Sequence, residues 1–270
     1  AVKSHRTRHV TWLTLNRPEQ RNPLSTEMML CLKESLDEAA INDDVRVVII
    51  NAKGPVFSAG HSLKEINSIK DELNEKRKQR IKKIVSECAT LMHSILNNPK
   101  PIIASVQGPA TAAGCQLVSA CDLAVASSHS TFCTPGVNIG VFCTTPLVGI
   151  GRNVHRKHAM EMALTGDPIS AEKAEKYGLI NTVVEPSELI SATTALAEKI
   201  AMRSAQTIVA GKAMFYQQIE VPLLDAFAMA NETMLNNITS TEGDAEEGIN
   251  AFLEKRTPVW QGLQQSQKKQ

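Results

Sequence analysis

Aromatic residues are scarce in this sequence, and several patterns that mark common classes of protein are missing. Only 4% of the 270 residues are Phe, Trp or Tyr, so the core must be built mainly from Ala, Val, Ile, Leu and Met. No apolar run approaches the roughly 18 residues of a membrane span. The formal net charge of +1 gives no overall basic footprint for nucleic acid. We therefore expect a globular protein without a membrane-spanning segment and without nucleic acid as its partner.

The cysteines also lack the spacing of a metal or redox motif. None of the six forms a CxxC pair, which argues against a zinc site or a thioredoxin-like function, and no metal is predicted. They are Cys31, Cys88, Cys115, Cys121, Cys133 and Cys143. Four of them fall in or beside apolar segments, where a reduced, buried thiol is expected. This usage indicates a reducing compartment, either the cytosol or the mitochondrial matrix.

The hydrophobic pattern predicts an α/β core followed by a helical region. At 270 residues, one domain with a helical appendage is the expected organisation. Strands are predicted at 10–15, 45–52, 102–106, 122–126 and 180–184. Helices are predicted from Ser25 to Ala40, from Ile81 to Leu96, at 115–121, at 170–178, and at 187–203, 205–218, 222–238 and 243–255. Strand and helix alternate in the first half, as in an α/β fold.

The turn GPATAAGCQL, from Gly108 to Leu117, is the best candidate for a binding site that the residue pattern provides. It joins a buried strand to a helix and contains no bulky side chain at the turn itself. Small residues let backbone N–H groups approach a ligand, and the helix directs the positive end of its dipole to the same place. The pattern favours a site for an anion, or for an oxygen that becomes anionic during a reaction. A tight turn with close strand–helix packing is the alternative.

Two motifs in register identify the chain as a member of a known family. FSAGHSLKEI, at 57–66, lies about fifty residues before PIIASVQGPATAAGCQLVSACDLAVAS, at 101–127. Their order, spacing and content resemble the crotonase (enoyl-CoA hydratase/isomerase) superfamily. The resemblance extends to RPEQRNPLS near the amino terminus, to STFCTPGVNIGV, and to the carboxyl-terminal LTGDPISAEKAEKYGLINTVV and GINAFLEKRTPVW.

The resemblance implies an α/β fold, a spiral of ββα units with a carboxyl-terminal helical region. In these terms residues 1–195 would be the spiral core and residues 196–260 a helical trimerisation region. Residues 261–270, QGLQQSQKKQ, have little to bury and are predicted to form a disordered tail. A homotrimer or a dimer of trimers is the implied assembly. We expect a role in fatty-acid or lipid metabolism. The family relationship and the basic first residues, which could be the remnant of a transit peptide, favour the mitochondrial matrix.

The resemblance also implies a site for an acyl-CoA thioester as substrate or ligand, without a covalently bound cofactor. The backbone N–H groups of His61 and Ala113 would hold the thioester carbonyl oxygen in an oxyanion hole. One such donor contributes roughly a hundred- to a thousand-fold to the rate in enzymes that use it. The residues implied as CoA contacts are Gln20, Arg21, His61, Ser62, Leu63, Lys64, Ala113, Phe252 and Lys255, the last two reaching the CoA of a neighbouring subunit.

Two positions depart from the chemistry that the family uses for hydration. The glutamates of a hydratase correspond to Gln116 and Gly136 here, and neither residue titrates near neutral pH. Each such acid contributes about 10²- to 10⁴-fold through general acid–base catalysis. Another branch of the family places an acid at the position of Thr144. The first hypothesis is therefore a protein that binds acyl-CoA without ordinary hydratase activity.

The histidine after the loop glycine supports a second hypothesis. The decarboxylase branch of the family has a histidine at the position of His61, so an active CoA-thioester lyase is the alternative. Its substrate would be a malonyl-type CoA ester, whose loss of CO₂ generates the enolate without a strong base. That branch has a tyrosine where this chain has Cys143. In the plainer interpretation His61 contributes only its N–H, and an ordinary enoyl-CoA hydratase is the weakest alternative.

Overall fold

The computed structural model describes residues 1–241 and 243–261, and these form nine strands and eleven α-helices. The strands are β1 (Val2–Thr7), β2 (Val10–Leu15), β3 (Val47–Ala52), β4 (Ile102–Val106), β5 (Ala110–Thr111), β6 (Leu123–Ser127), β7 (Thr131–Cys133), β8 (Ile169–Ser170) and β9 (Thr182–Val184). The helices are α1 (Thr26–Ile41), α2 (Leu63–Ser68), α3 (Asn74–Leu96), α4 (Ala113–Ala120), α5 (Thr144–Asn153), α6 (Arg156–Thr165), α7 (Ala171–Tyr177), α8 (Leu189–Ala201), α9 (Ala205–Gln218), α10 (Leu223–Thr239) and α11 (Ala245–Leu253).

Six strands form the main sheet in the order β1-β2-β3-β4-β6-β9. β1 pairs antiparallel with β2, and the other neighbours are parallel. Parallel strands end at the same edge of a sheet, which is where ligands bind in folds of this kind. The segments after β2, β3 and β4 therefore emerge side by side. They contain the three stretches in which the sequence predicted a binding site.

Apolar cores cover both faces of this sheet. Val48 and Ile50 point to the larger core under α1, α3 and α4, while Val47 and Ile49 point to a second core under α8. The continuous apolar run in β3 is explained by burial on both faces. α8 lies on the second face with Leu189, Thr193, Ala197 and Ala201 buried. The predicted domain boundary between residues 195 and 196 thus falls inside a helix that packs on the core sheet.

The last three helices pack differently from the rest. α9 buries none of its residues, α10 buries Ala226 and α11 buries Ala251. Large apolar side chains remain exposed on them, including Leu224 at 82%, Phe227 at 60% and Phe252 at 82%. The predicted helical character of this region is confirmed. Residues 262–270, most of the stretch predicted to be disordered, lie outside the described residues.

The structure confirms the α/β class and adds elements that the pattern did not predict. Residues 2–7, interpreted from their basic side chains as a possible leader remnant, form the edge strand β1. The helix predicted at 115–121 begins two residues earlier, at Ala113. α2, α5 and α6 were not predicted individually, because they are short or flanked by Gly-, Thr- and Cys-rich loop sequence. None of the helices in the described part of the chain has both the length and the apolar character that crossing a bilayer requires.

Candidate active site

The loop after β3 and the turn after β4 are joined by backbone hydrogen bonds. The N–H of Thr111 donates to the carbonyl oxygen of Ser58 at 2.9 Å, and the N–H of Phe57 donates to that of Pro109 at 3.0 Å. Ser58 and Ala110 thereby form a parallel bridge between two segments that are fifty residues apart in sequence. The two motifs that identified the family therefore meet at one place.

Glycines allow the two backbones to approach this closely. A Cβ atom on Gly60, whose φ is +86°, would lie 2.8 Å from the carbonyl oxygen of Thr111 and 3.1 Å from the nitrogen of Ala113. A Cβ atom on Gly114 would lie 2.5 Å from the carbonyl oxygen of Ser58. Only glycine fits at either position without moving backbone. His61, which follows Gly60, is consequently placed beside the first turn of α4.

Two backbone donors remain without an acceptor at this junction. Among the described residues, neither the N–H of His61 nor that of Ala113 donates to a protein acceptor. Ala113 is the first residue of α4, where N–H groups have no partner within the helix. Both donors can therefore serve a ligand oxygen, and the positive end of the helix dipole adds to their field. This arrangement can hold a carbonyl oxygen and stabilise negative charge that develops on it.

Ala112 holds the second donor in place through an unusual backbone conformation. Its φ of 50° and ψ of −116° lie in a region that L-residues rarely adopt, at a cost of about 1–3 kcal/mol. The conformation persists because its N–H donates to the carbonyl oxygen of Cys133 at 2.8 Å and its carbonyl accepts from the N–H of Gln116 at 3.0 Å. The strain thus orients the peptide group that carries the N–H of Ala113.

The side chain of His61 is neutral and has one ring nitrogen engaged. Its Nδ1 lies 3.3 Å from the carbonyl oxygen of Leu24, which can only accept, so Nδ1 carries the proton. Burial lowers the pKa of His61, although the Leu24 carbonyl and the nearby carboxylate of Glu65 oppose this shift. Nε2 then presents a lone pair. The ring can accept a proton at neutral pH, but it is not a permanent cation.

Gln116, at the first of the two positions predicted to lack an acid, packs against a thiol. Its side chain is 6% exposed, and the Sγ of Cys88 donates to its Oε1 at 3.8 Å. Burial raises the pKa of the Cys88 thiol to about 11, so it stays protonated and keeps this role as donor. Neither group ionises at neutral pH, so this pair does not transfer a proton in the way that a carboxyl group does.

At the second position the backbone itself excludes a side chain. A Cβ atom on Gly136 would lie 2.3 Å from the carbonyl oxygen of Val141 and 2.7 Å from the Sγ of Cys143. The N–H of Val141 also donates to the carbonyl oxygen of Gly136 at 2.9 Å, which closes this loop tightly. A glutamate therefore does not fit here unless the loop from 136 to 143 moves.

The remaining predicted contacts divide into two groups. The backbone carbonyl oxygen of Arg21 accepts from the N–H of Ala59 at 3.0 Å. This hydrogen bond places Gln20 and Arg21 beside the loop of His61. Ser62 caps α2 by accepting from the N–H of Glu65, and Leu63 and Lys64 are exposed on its first turn. These residues gather at one edge of the sheet.

The second group, Phe252 and Lys255, lies in the α11 region. α11 packs against α10, and no described hydrogen bond joins these residues to the His61 loop. Their predicted contact with the CoA of a neighbouring subunit stays a prediction. Within residues 1–241 and 243–261 no three His, Cys, Asp or Glu side chains cluster as metal ligands would.

Sequence reasoning missed Asn22, whose hydrogen bonds hold the loop after β3 in place. It is fully buried, and its Nδ2 donates to the carbonyl oxygens of Lys53 at 2.9 Å and Val56 at 2.8 Å. Its own carbonyl accepts from the Oγ of Ser58 at 2.8 Å. Asn22 has a φ of 48°, a left-handed conformation that asparagine tolerates better than most residues. That preference in a polar loop is the one signal that could have indicated its role.

Comparisons with known proteins agree with the family resemblance. The family model described as enoyl-CoA hydratase/isomerase matches residues 5–265. Enoyl-CoA hydratase domain-containing protein 3, mitochondrial, from Rattus norvegicus is 46% identical over 250 residues, which cover 92% of this chain and 80% of the relative. The 2,3-dehydroadipyl-CoA hydratase of Escherichia coli is 32% identical over 265 residues, covering 95% and 97%.

Solved structures show the same relationship. The crystal structure of human enoyl-CoA hydratase domain-containing protein 3 matches with a TM-score of 0.90 at 43% identity, covering 96% of this chain and 99% of that one. An enoyl-CoA hydratase from Mycobacterium smegmatis matches with a TM-score of 0.90 at 43% identity, covering 96% and 98%. The motifs, the fold and these matches together show that the chain belongs to the enoyl-CoA hydratase/isomerase family, the crotonase superfamily.

Proposed function

We propose that the protein binds an acyl-CoA and holds its thioester carbonyl between the backbone N–H groups of His61 and Ala113, without catalysing ordinary hydration. The observation that carries this proposal is the pair of N–H groups without a described acceptor, on two loops joined by hydrogen bonds. A thioester oxygen in this cradle would accept from both donors. Arg21 and Lys64, exposed at the same edge, would face the anionic end of CoA.

The absence of hydration follows from the two positions where the family's acids would lie. Hydration needs a group that activates water and a group that handles the proton at the α-carbon. Gln116 has an amide, and Gly136 has no side chain and no room for one. At about 10²- to 10⁴-fold for each acid, their loss lowers the rate far below that of a working hydratase.

The side chains around the site favour an uncharged acyl group. Gln116, the thiol of Cys88 and the neutral ring of His61 carry no charge that would pair with a carboxylate. Burying an unpaired carboxylate beside them is costly. A simple fatty-acyl group therefore fits this environment better than a malonyl-type group, which supports binding over decarboxylation.

The proposal also includes an oligomeric state and a location in the cell. We infer a homotrimer, or a dimer of trimers, because large apolar side chains of α9, α10 and α11 are exposed and apolar patches of this kind mark contacts between proteins. Relatives at 44–46% identity are named mitochondrial proteins, which supports a location in the mitochondrial matrix and a role in fatty-acid metabolism.

Calorimetry combined with a hydration assay tests this proposal. We expect the purified protein to bind a saturated acyl-CoA at micromolar concentration and to leave crotonyl-CoA unhydrated. The Gln116→Glu variant should also fail to hydrate crotonyl-CoA, because the loop from 136 to 143 still leaves no room for an acid at position 136. Binding weaker than millimolar would contradict the proposed site. Robust hydration that is lost when the His61 loop is disrupted would contradict the proposed lack of activity.

A CoA-thioester lyase is the second candidate, and the lone pair on Nε2 of His61 favours it. In that reaction loss of CO₂ leaves an enolate, which the two N–H groups stabilise, and a proton must then reach the α-carbon. His61 would supply it after taking it up at Nε2. Turnover of malonyl-type CoA esters that falls in His61→Ala would support this candidate, whereas unchanged turnover in that variant would remove His61 from the reaction.

A further inference from the structure

The first turns of α3 form a strongly basic surface that the acyl-CoA site does not use. Residues 70–83 contain seven basic and three acidic side chains, a net charge of +4 in a chain whose total is +1. Every residue from 74 to 80 is exposed, and the first buried residue of α3 is Ile84. These two turns therefore stand clear of the core with solvent on all sides.

The ion pairs leave most of this positive charge unmatched. Glu72 pairs with Arg80 at 2.6 Å and Glu87 with Lys83 at 3.7 Å. Among the described residues, Lys76, Arg77 and Lys78 have no such partner. They lie in the first turns of α3, where the helix dipole disfavours cations. The local charge therefore costs stability within the chain and adds to the field of the helix end.

The arrangement fits an extended surface better than a small anion. Lys76, Arg77 and Lys78 are consecutive, so they point about 100° apart around the helix and do not converge on one point. Leu73, which directly precedes α3, is 83% exposed. Basic side chains with exposed apolar ones are the pattern of a helix that lies on an anionic membrane. No Phe, Trp or Tyr occurs between 63 and 96 to stack on the bases of a nucleic acid.

We propose that this surface, defined as Lys70, Leu73, Lys76, Arg77 and Lys78, docks the protein on an anionic lipid bilayer. The long cationic side chains reach the headgroups, and Leu73 enters the interface. α2 begins at Leu63, just after His61, and only residues 69–73 separate it from α3, so docking brings the loop of His61 toward the membrane. Docking does not require the proposed acyl-CoA binding, and the two can fail separately.

Vesicle flotation tests this surface. The intact protein should float with phosphatidylcholine vesicles that contain cardiolipin, and not with vesicles of phosphatidylcholine alone, and raised salt should release it. The triple variant Lys76→Glu, Arg77→Glu, Lys78→Glu should lose at least tenfold in partitioning. It should still fold, because the three positions are exposed and acids are favoured at a helix start.

A matched triple variant separates local docking from net charge. Lys157→Glu, Lys176→Glu, Lys199→Glu makes the same charge change at three exposed positions on α6, α7 and α8, and should keep most of the flotation. Equal loss in both triples, or flotation with neutral vesicles, would overturn the proposal. So would a loss of acyl-CoA affinity in the α3 triple without vesicles, which would assign the cations to CoA phosphates. Tighter binding of RNA than of vesicles would assign them to nucleic acid.

Discussion

The region around α4 and the carboxyl-terminal helices differ in how many of their residues are buried. All eight residues of α4 are buried, and glycines at 60, 114 and 136 bring backbones within contact distance around it. α9, α10 and α11 together bury Ala226 and Ala251 and expose a series of large apolar side chains. The first region is fully packed within one chain, whereas the second leaves large apolar side chains exposed.

This difference separates ligand binding from assembly. Strain at Ala112 and close backbone contacts at Gly60 and Gly114 are tolerated only where the surroundings hold them rigidly, as binding a small atom group requires. Helices with exposed apolar faces suit an interface between copies instead. A buried ion pair, Lys212 with Asp122 at 2.7 Å, connects the two regions.

Breaking that connection should have the largest effect. Asp122 accepts from Lys212, from the N–H of Ile102 and from the hydroxyl of Tyr216. Asp122→Ala therefore leaves the amine of Lys212, whose side chain is 8% exposed, without its carboxylate partner. We expect a loss of about 3–5 kcal/mol in the free energy of unfolding by urea denaturation. The exposed pair of Arg152 and Glu220 is the control, and Glu220→Ala should cost under about 1 kcal/mol. Equal losses in the free energy of unfolding for the two variants would show that the pair of Lys212 and Asp122 does not stabilise the packing of α9.

Two glycine substitutions compare the regions directly. A Cβ atom at Gly114 meets the carbonyl oxygen of Ser58, so Gly114→Ala should destabilise the protein by about 1–3 kcal/mol and weaken acyl-CoA binding. Gly211 lies inside α9, and a Cβ atom there would have no neighbouring atom within 4 Å, so Gly211→Ala should stabilise by about 0.5–1 kcal/mol. Thermal unfolding of both variants measures these two stability changes. Changes of the same sign would contradict the proposed difference between the two regions.

Relief of strain should give a smaller change of opposite sign. In Ala112→Gly the strain of about 1–3 kcal/mol disappears, while glycine's greater freedom in the unfolded chain costs roughly 0.5–1 kcal/mol. We therefore expect a net stabilisation of about 1 kcal/mol in urea denaturation. The control is Ala110→Gly, since Ala110 does not have a positive φ, and this variant should destabilise the protein. If both variants destabilise, the conformation of Ala112 is not strained.

The smallest expected effect is a change in pH dependence at His61. Its pKa is lowered from 6.5 in the folded state, so the folded protein binds its proton less readily than the unfolded chain does. Its contribution to stability is complete above pH 6.5 and declines as the pH falls toward the lower folded pKa. Urea denaturation from neutral to mildly acidic pH should show a shallower decline in His61→Gln than in the native protein. Parallel curves would contradict the burial of His61.

Much of the fold follows from local pattern, and the parts that do not have identifiable reasons. β2 and β4 match their predicted ranges because continuous apolar runs ended by polar loops specify buried strands. Ser25 and Ser170 cap α1 and α7 as predicted, since each accepts from an N–H three residues on. β1 was not predicted because its side chains are mostly exposed and basic, and its pairing with β2 is a property of the backbone.

The candidate site was predictable in part. The small-residue turn indicated an anion site, and the family resemblance implied Ala113 and His61 as its donors. The structure brings these two residues together. The closure of Gly136 by Val141 was not predictable, because it depends on how the loop from 136 to 143 folds back. The role of Asn22 was hidden for the same reason, since its partners Lys53 and Val56 are distant in sequence.

The most direct test of the central claim compares an acyl-CoA thioester with the thioether analogue that lacks the carbonyl oxygen. Two hydrogen bonds worth about 0.5–1.5 kcal/mol each predict that the thioester binds about tenfold or more tightly by calorimetry. Equal affinity for thioester and thioether in the native protein would contradict the account.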